Sequence, residues 1–176
     1  SGVKSVTWNF DQASDKVYDR TIWLSYLPDG DHTLYFTSVD YVSNTEKIQE
    51  VKFYLDKIAP EVTSKIEGDF FEKGGKSYVS ERSKISLAAT DNKAGVDKIY
   101  YSIDGETNLE YSEAFVIDRN QGNHIVRYKA VDKVENMGGF ETDNNLGKLY
   151  LDLTAPNISH TYSGASFFTR DTMFIT

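Results

Sequence analysis

GNHIVRYKAVDKVEN (122–136) decides the fold. Val126, Tyr128 and Ala130 alternate with Arg127 and Lys129, a period of two that marks a strand with one wet face. The same pattern stands ninety-two positions earlier as GDHTLYFTSVDYVSN (30–44). Working outward, SGVKSVTWNFD (1–11) lies over AGVDKIYYSID (94–104) at an offset of 93, and LDKIAP (55–60) over LDLTAP (151–156) at an offset of 96. Inward positions match in type: Val6 with Ile99, Trp8 with Tyr101, Phe10 with Ile103, Ile22 with Phe115, Leu24 with Ile117. Three matches in the same order define an internal repeat of about 95 residues, the size of one immunoglobulin-like sandwich. The drift in offset places a loop-length change in the long turn after Asn136.

Composition agrees. The chain has 176 residues, 12 Tyr, 10 Phe and only 3 Pro, a mixture suited to half-buried strands. Apolar and polar residues also alternate through Val6–Phe10, Ile85–Ala89 and Ile99–Ile103. Turn signals separate the runs at Pro28-Asp29-Gly30, Gly74-Gly75, Asp104-Gly105, Gln121-Gly122 and Gly138-Gly139. The expected class is all-β, a series of Ig-like β-sandwich repeats. With 27 acidic against 19 basic residues, the net charge of −8 argues against nucleic acid or an anionic membrane as partner and is compatible with cations. The absence of cysteine excludes disulfides and thiolate chemistry. No stretch approaches 18 consecutive apolar residues, so no membrane insertion is expected in this segment.

LDxxAP reads as the end of a unit, with Pro stiffening a short linker. Residues 1–56 then form a partial repeat carrying strands C–G, and 61–153 a complete one. In the complete unit, strand A is expected near 62–79, B at 83–91, C at 97–104, D/E at 109–118, F at 123–132 and G at 147–153. Residues 157–176 read as the start of a third repeat, strands A–B, with Gly164 over Gly68, Phe167 over Phe71 and Phe174 near Ile85. Half sandwiches leave apolar faces and edges unpaired, and strand exchange between residues 157–176 and residues 1–56 of another copy is one expectation. The other is that this is a stretch of a longer array.

The string G-x-H-x-(V/L)-x-(Y/F)-x-(A/S)-V-D-x-V-x-N, preceded by (S/A)GVxxIxYSID and followed by LDxxAP, resembles bacterial Ig-like (Big-type) tandem repeats, nearest to those of leptospiral outer-membrane adhesins. The resemblance implies non-catalytic modules at the cell surface, outer-membrane-associated or secreted. They would act in adhesion to a host extracellular-matrix protein or glycan, or as spacers beside neighbouring repeats. The alternative is a carbohydrate-binding accessory module of a secreted polysaccharide-degrading enzyme, using outward aromatics such as Tyr35, Tyr54 and Tyr100.

Acidic residues recur at strand ends: Asp11 and Asp104 after C, Asp40 and Asp132 after F, Asp56 and Asp152 after G, with Asp91 after B. One reading is calcium between units, held by Asp56, Asp91, Asp132 and Asn136, because Ca2+ takes six to eight oxygens and a seam gathers carboxylates from several loops. The other is that these Asp and Asn side chains cap turns by accepting local backbone N–H groups. His32 and His124 share one repeat position and read as structural; His160 has no visible partner. Phe70-Phe71 and Phe167-Phe168 are expected to pack beneath strand A. No G-x-S-x-G, H-E-x-x-H, P-loop or dinucleotide motif is present, so no catalytic residue is assigned.

Overall fold

The computed structural model describes residues 1–139 and 145–159, and among these there is no helix. The first four strands are β1 (Val3–Phe10), β2 (Lys16–Val17), β3 (Gly30–Asp40) and β4 (Gln49–Leu55). They form one antiparallel sheet in the order β2-β1-β3-β4. Next come β5 (Glu61–Glu67), β6 (Phe70–Lys73), β7 (Lys76–Val79), β8 (Lys84–Thr90) and β9 (Val96–Ile103). β10 (Leu109–Glu110), β11 (Gly122–Asp132), β12 (Met137–Gly139) and β13 (Asn145–Leu151) follow. β5 and β8 pair as a two-stranded sheet; the larger sheet runs β10-β9-β11-β13-β7-β6, with β12 beside β11.

The two sheets face each other across one core. Val62, Ile85 and Leu87 from the small sheet meet Ile103, Val126, Tyr128, Ala130, Leu149 and Leu151 from the large one. Ile85, Val126, Leu149 and Leu151 are almost wholly buried, each contributing about 1.5–3 kcal/mol by leaving water. Ile85 and Phe115 exchange both backbone hydrogen bonds, 2.7 and 3.0 Å, which ties the loop before Ile117 to the small sheet. Tyr101 stacks on Phe115 at 3.8 Å between ring centroids.

Pairing registers repeat with the sequence. In β1 and β3, Trp8 faces Phe36 and Phe10 faces Leu34. In β9 and β11, Tyr101 faces Tyr128 and Ile103 faces Val126. The environments differ, however. Val126 and Tyr128 are 0% and 5% exposed beneath β5 and β8, whereas Leu34 and Phe36 are half-buried and Val51 beside them is 49% exposed. Among the described residues no second sheet lies over the first.

Three features depart from the expected strand plan. The expected strand A is divided: β5 pairs with β8, whereas β7 pairs with β13, in parallel. The chain changes sheets at Gly68, whose φ of 95° is a conformation that glycine adopts without steric cost. β6 then folds back on β7 as an added edge strand, so Phe70 and Phe71 are 46% and 60% exposed and do not pack beneath strand A. Finally, β12 occupies part of the expected long turn after Asn136. Gly164, Phe167, Phe168, Phe174 and His160 lie outside the described residues.

Gly138 in β12 fixes how the connecting segment sits. A Cβ at this position would collide with the Pro60 carbonyl oxygen and press on the Ala59 side chain. Backbone cannot yield as a flexible side chain does. Gly138→Ala is therefore expected to cost about 1–3 kcal/mol, seen as a lower urea midpoint with an unchanged m-value.

A candidate metal centre at the seam between units

The repeated motif builds two local devices, and the second leads to the seam. The first is a clasp at the start of the long central strand. His32 Nδ1 lies 2.7 Å from Asp11 Oδ2 and its Nε2 2.9 Å from the Pro28 carbonyl; His124 Nδ1 lies 2.7 Å from Asp104 Oδ2 and its Nε2 2.8 Å from the Asn120 carbonyl. The other oxygen of each carboxylate accepts a backbone N–H, from Thr33 or Ile125, at 2.8 Å. Both aspartates have positive φ, 54° and 55°, because each turns the chain out of its strand. Both histidines are thus structural, as expected.

The second device closes the loop at the other end of that strand. Asp132 Oδ1 accepts the backbone N–H groups of Val134 (2.9 Å) and Asn136 (2.8 Å), and Oδ2 accepts Asn136 Nδ2 at 2.8 Å. Asp40 does the same with Val42 and Asn44 in the first unit. The chain reversal needs a left-handed residue one position before each Asn, Ser43 (φ 68°) and Glu135 (φ 70°). Burial pushes the Asp132 carboxyl up, but the Asn136 side chain and the backbone donors more than reverse this and hold it below the usual carboxylate range. The Asp40 carboxyl is drawn down to about 2, chiefly by the Ser1 hydroxyl and the Asn44 amide.

At the central module this loop meets the chain arriving from the first sheet. Asp56, directly after β4, accepts Ile58 N–H on Oδ1 (3.1 Å) and Ala94 N–H on Oδ2 (2.7 Å). Its backbone carbonyl accepts Asn136 Nδ2 at 3.0 Å. Asp91, after β8, uses Oδ2 to accept the N–H groups of Lys93 and Gly95, while Oδ1 is buried with no hydrogen-bond partner among the described residues. One carboxylate oxygen each from Asp56, Asp91 and Asp132 lie within 4.8 Å of one another. Lys93 adds a cation–π contact to Tyr54 of the first sheet at 5.0 Å.

All four residues singled out from the sequence therefore meet at one place. Their roles differ. Three are carboxylates that bring one oxygen each within 4.8 Å of the others, whereas Asn136 turns its amide nitrogen to Asp132 and Asp56 and positions them. The turn-capping reading also describes real hydrogen bonds, since every one of these aspartates accepts nearby backbone N–H groups. What capping leaves over is the bare Asp91 oxygen and three negative charges in close contact. The aromatics proposed as a sugar face are partly engaged: Tyr54 by Asp29 and Lys93, Tyr100 by Lys129 at 5.6 Å. A different aromatic row was not evident from the sequence. Phe71, Tyr78 and Tyr150 stand side by side across β6, β7 and β13, with centroids 6.3 and 5.5 Å apart.

The central module is thus an all-β, immunoglobulin-like sandwich, preceded by a sheet with the same strand registers and joined to it at an acidic seam. No protein-family model matches the chain, and no curated protein matches it. Among solved structures it is similar to the fibronectin(III)-like modules of Clostridium thermocellum CbhA, at 16% identity and a TM-score of 0.46, over 90% of this chain and 84% of that one.

Proposed function

We propose that the chain is a non-catalytic segment of a bacterial surface protein, in which tandem Ig-like modules of the Big type project a binding region from the cell and take part in adhesion to host matrix. The observation that carries this reading is the seam. Asp56 belongs to the linker after the first sheet, yet its carboxylate and carbonyl are held by Ala94 and Asn136 of the central module. A joint built this way sets the angle between successive units, which is what an extended array requires. The net charge of −8 keeps such an array soluble. Adhesion and spacing are told apart by binding of the chain to immobilised matrix proteins; adhesion requires saturable binding.

Calcium is the cation we assign to the seam. Oxygens on opposite sides of one Ca2+ stand about 4.6–5.2 Å apart, so three carboxylate oxygens within 4.8 Å fit one ion. Without a cation, each carboxylate pair repels by a few kcal/mol at an effective dielectric of about 20. Asp56, Asp91 and Asp132 would hold the ion, with Asn136 keeping two of them in place, and bound Ca2+ would neutralise the cluster and lock the joint. The wild-type melting temperature is expected to rise by about 10 °C in calcium at a hundredfold excess over Kd, relative to chelator. Asp91→Asn is expected to abolish that rise and, in chelator, to melt no lower than wild type, because it removes one of three crowded charges. An unchanged wild-type melting curve would remove calcium from the reading.

One observation favours the carbohydrate-binding alternative: the aromatic row of exposed Phe71 and half-buried Tyr78 and Tyr150. The rings are tilted by 43° and 54° to their neighbours and so do not form a flat platform. Retention on an insoluble polysaccharide that is lost in Tyr78→Ala would support this alternative over the spacer.

A further inference from the structure

Val79, Leu149 and Leu151 turn into the core, so their neighbours on β6, β7 and β13 face outward. That outer face carries three rows in register. Phe71, Tyr78 and Tyr150 are cross-strand neighbours and form the middle row. Side chains on one face recur every second residue, so the row on one flank is Lys73, Lys76 and Lys148. The row on the other flank is Asp69, Ser80 and Asp152. Ser80 Oγ donates to Asp69 Oδ2 at 2.8 Å, and the Asp152 backbone N–H to the Val79 carbonyl at 2.9 Å. A groove of about 510 Å³ lies here, lined by Lys73, Phe71, Tyr78, Asp69 and Asp152 among others.

The basic row is not explained by the fold. All three lysines are exposed, and among the described residues none of them forms an ion pair. Like charges directly across neighbouring strands repel, a cost that an arriving anion removes. Glu72 does not serve, because it pairs with Ser77 and accepts the Ser77 hydroxyl at 3.1 Å. The aromatic row beside the lysines offers rings for an apolar surface. At the acidic flank, Asp152 spends Oδ1 on the Thr154 N–H, which leaves its Oδ2 to accept from a hydroxyl.

We infer that this face binds an acidic saccharide, with its carboxylate on the lysine row, the C–H face of a sugar ring on Phe71 and Tyr78, and a hydroxyl donating to Asp152. Lys73 and Asp69 are four residues apart, about 13 Å, and three adjacent strands span about 10 Å. That area seats two sugar rings and falls far short of the roughly 800 Å² per partner of a stable protein–protein contact. The charges choose the sugar. A neutral chain leaves the lysines uncompensated. A densely sulfated one presses negative charge on Asp69 and Asp152, in a chain whose net charge is already −8. One carboxylate on every second sugar suits both flanks.

The inference goes beyond the array reading. It holds whether the array adheres or only spaces, and with or without calcium at the seam. Its test is an NMR titration of the whole chain in low salt with an unsulfated tetrasaccharide of alternating glucuronic acid and N-acetylglucosamine. The neutral tetrasaccharide of N-acetylglucosamine serves as the comparison. Saturable binding of the acidic sugar is expected, about tenfold tighter than of the neutral one. The double variant Lys73→Gln/Lys76→Gln is expected to weaken it by about tenfold and to melt no lower than wild type, since it removes two crowded charges. Phe71→Ala, which removes an exposed ring, is expected to weaken it about two- to tenfold. A wild-type chain that binds neither sugar overturns the inference, and so does one that binds both equally. Light scattering under the same conditions covers the remaining occupant: self-association that is lost in Lys73→Gln/Lys76→Gln would assign the face to a second copy and overturn the inference as well.

Discussion

Asp132→Ala is expected to destabilise the central module by roughly 3–5 kcal/mol, a large part of what a single domain has. The side chain is 1% exposed and accepts three hydrogen bonds, two from backbone N–H groups and one from Asn136 Nδ2. Removing it leaves those donors facing a small void that water reaches poorly, and it frees Asn136, which also holds the Asp56 carbonyl. One substitution thus opens the β11–β12 loop and the seam together. On the scale of a domain of about 90 residues the melting temperature falls by on the order of 15–30 °C. The matched variant Asp40→Ala removes the same loop device from the first unit, where Asp40 is only half-buried and water replaces the lost acceptor. It is expected to cost less. Urea denaturation of the two variants side by side checks the ranking; an equal or larger loss for Asp40→Ala would show that burial of the loop carboxylate is not what matters.

The contrast also explains what was legible in the sequence. β9 and β11 could be placed because one face of each is buried and one is wet, so hydrophobicity alternates residue by residue. The repeat was visible because Asp–His clasps and Asp–Asn loops demand the same residue types at the same spacing in each copy. The partners within each device were harder to read. Asp104 and His124 are 20 residues apart and meet only when β9 and β11 pair in register. Asp56, Asp91 and Asp132 could be grouped from the sequence because each follows a strand at the end of a unit. The orientation of the Asn136 amide depends on which oxygens surround it, and that is a tertiary property. The division of strand A was also hidden. β5, β6 and β7 look alike in pattern, and the choice of partner sheet depends on the turn at Gly68 and on a free edge at β13. Phe70 and Phe71 read as core because large apolar residues usually are; an added edge strand left them exposed.

Stability is expected to pass through a maximum in mildly acidic solution and to decline on the alkaline side, because of the two histidines. His124 is 9% exposed, and both of its ring nitrogens face groups that only accept hydrogen bonds: the Asp104 carboxylate and the Asn120 carbonyl. A neutral imidazole can donate to one of them and must turn a lone pair toward the other. Only the imidazolium satisfies both. Burial pushes the His124 pKa down, and Arg119 does so weakly; the Asp104 carboxylate and the Asn120 carbonyl outweigh them and lift it above the ordinary 6.5. His32 is lifted in the same way by Asp11 and the Pro28 carbonyl, with help from the charge of Asp31. A histidine whose folded pKa exceeds its unfolded value contributes stability that is complete below about pH 6.5 and is lost as pH rises through the folded value. Asp104 and Asp11 have the opposite sign. Burial raises Asp104, but His124 and the Ile125 N–H bring it below 3.8; Asp11 is lowered chiefly by His32. Their contribution is present above about pH 3.9 and is lost as pH falls. The two limits leave a window of greatest stability between about pH 4.5 and 6.5. Urea midpoints measured from pH 4 to 9 are expected to fall across the alkaline limb in wild type. The slope is expected to lessen in His124→Gln and to lessen further when His32→Gln is added, even though both variants start from a lower midpoint. A wild-type midpoint that stays level from pH 6 to 9 would mean that the rings are neutral in the folded protein and that the clasp does not depend on their charge.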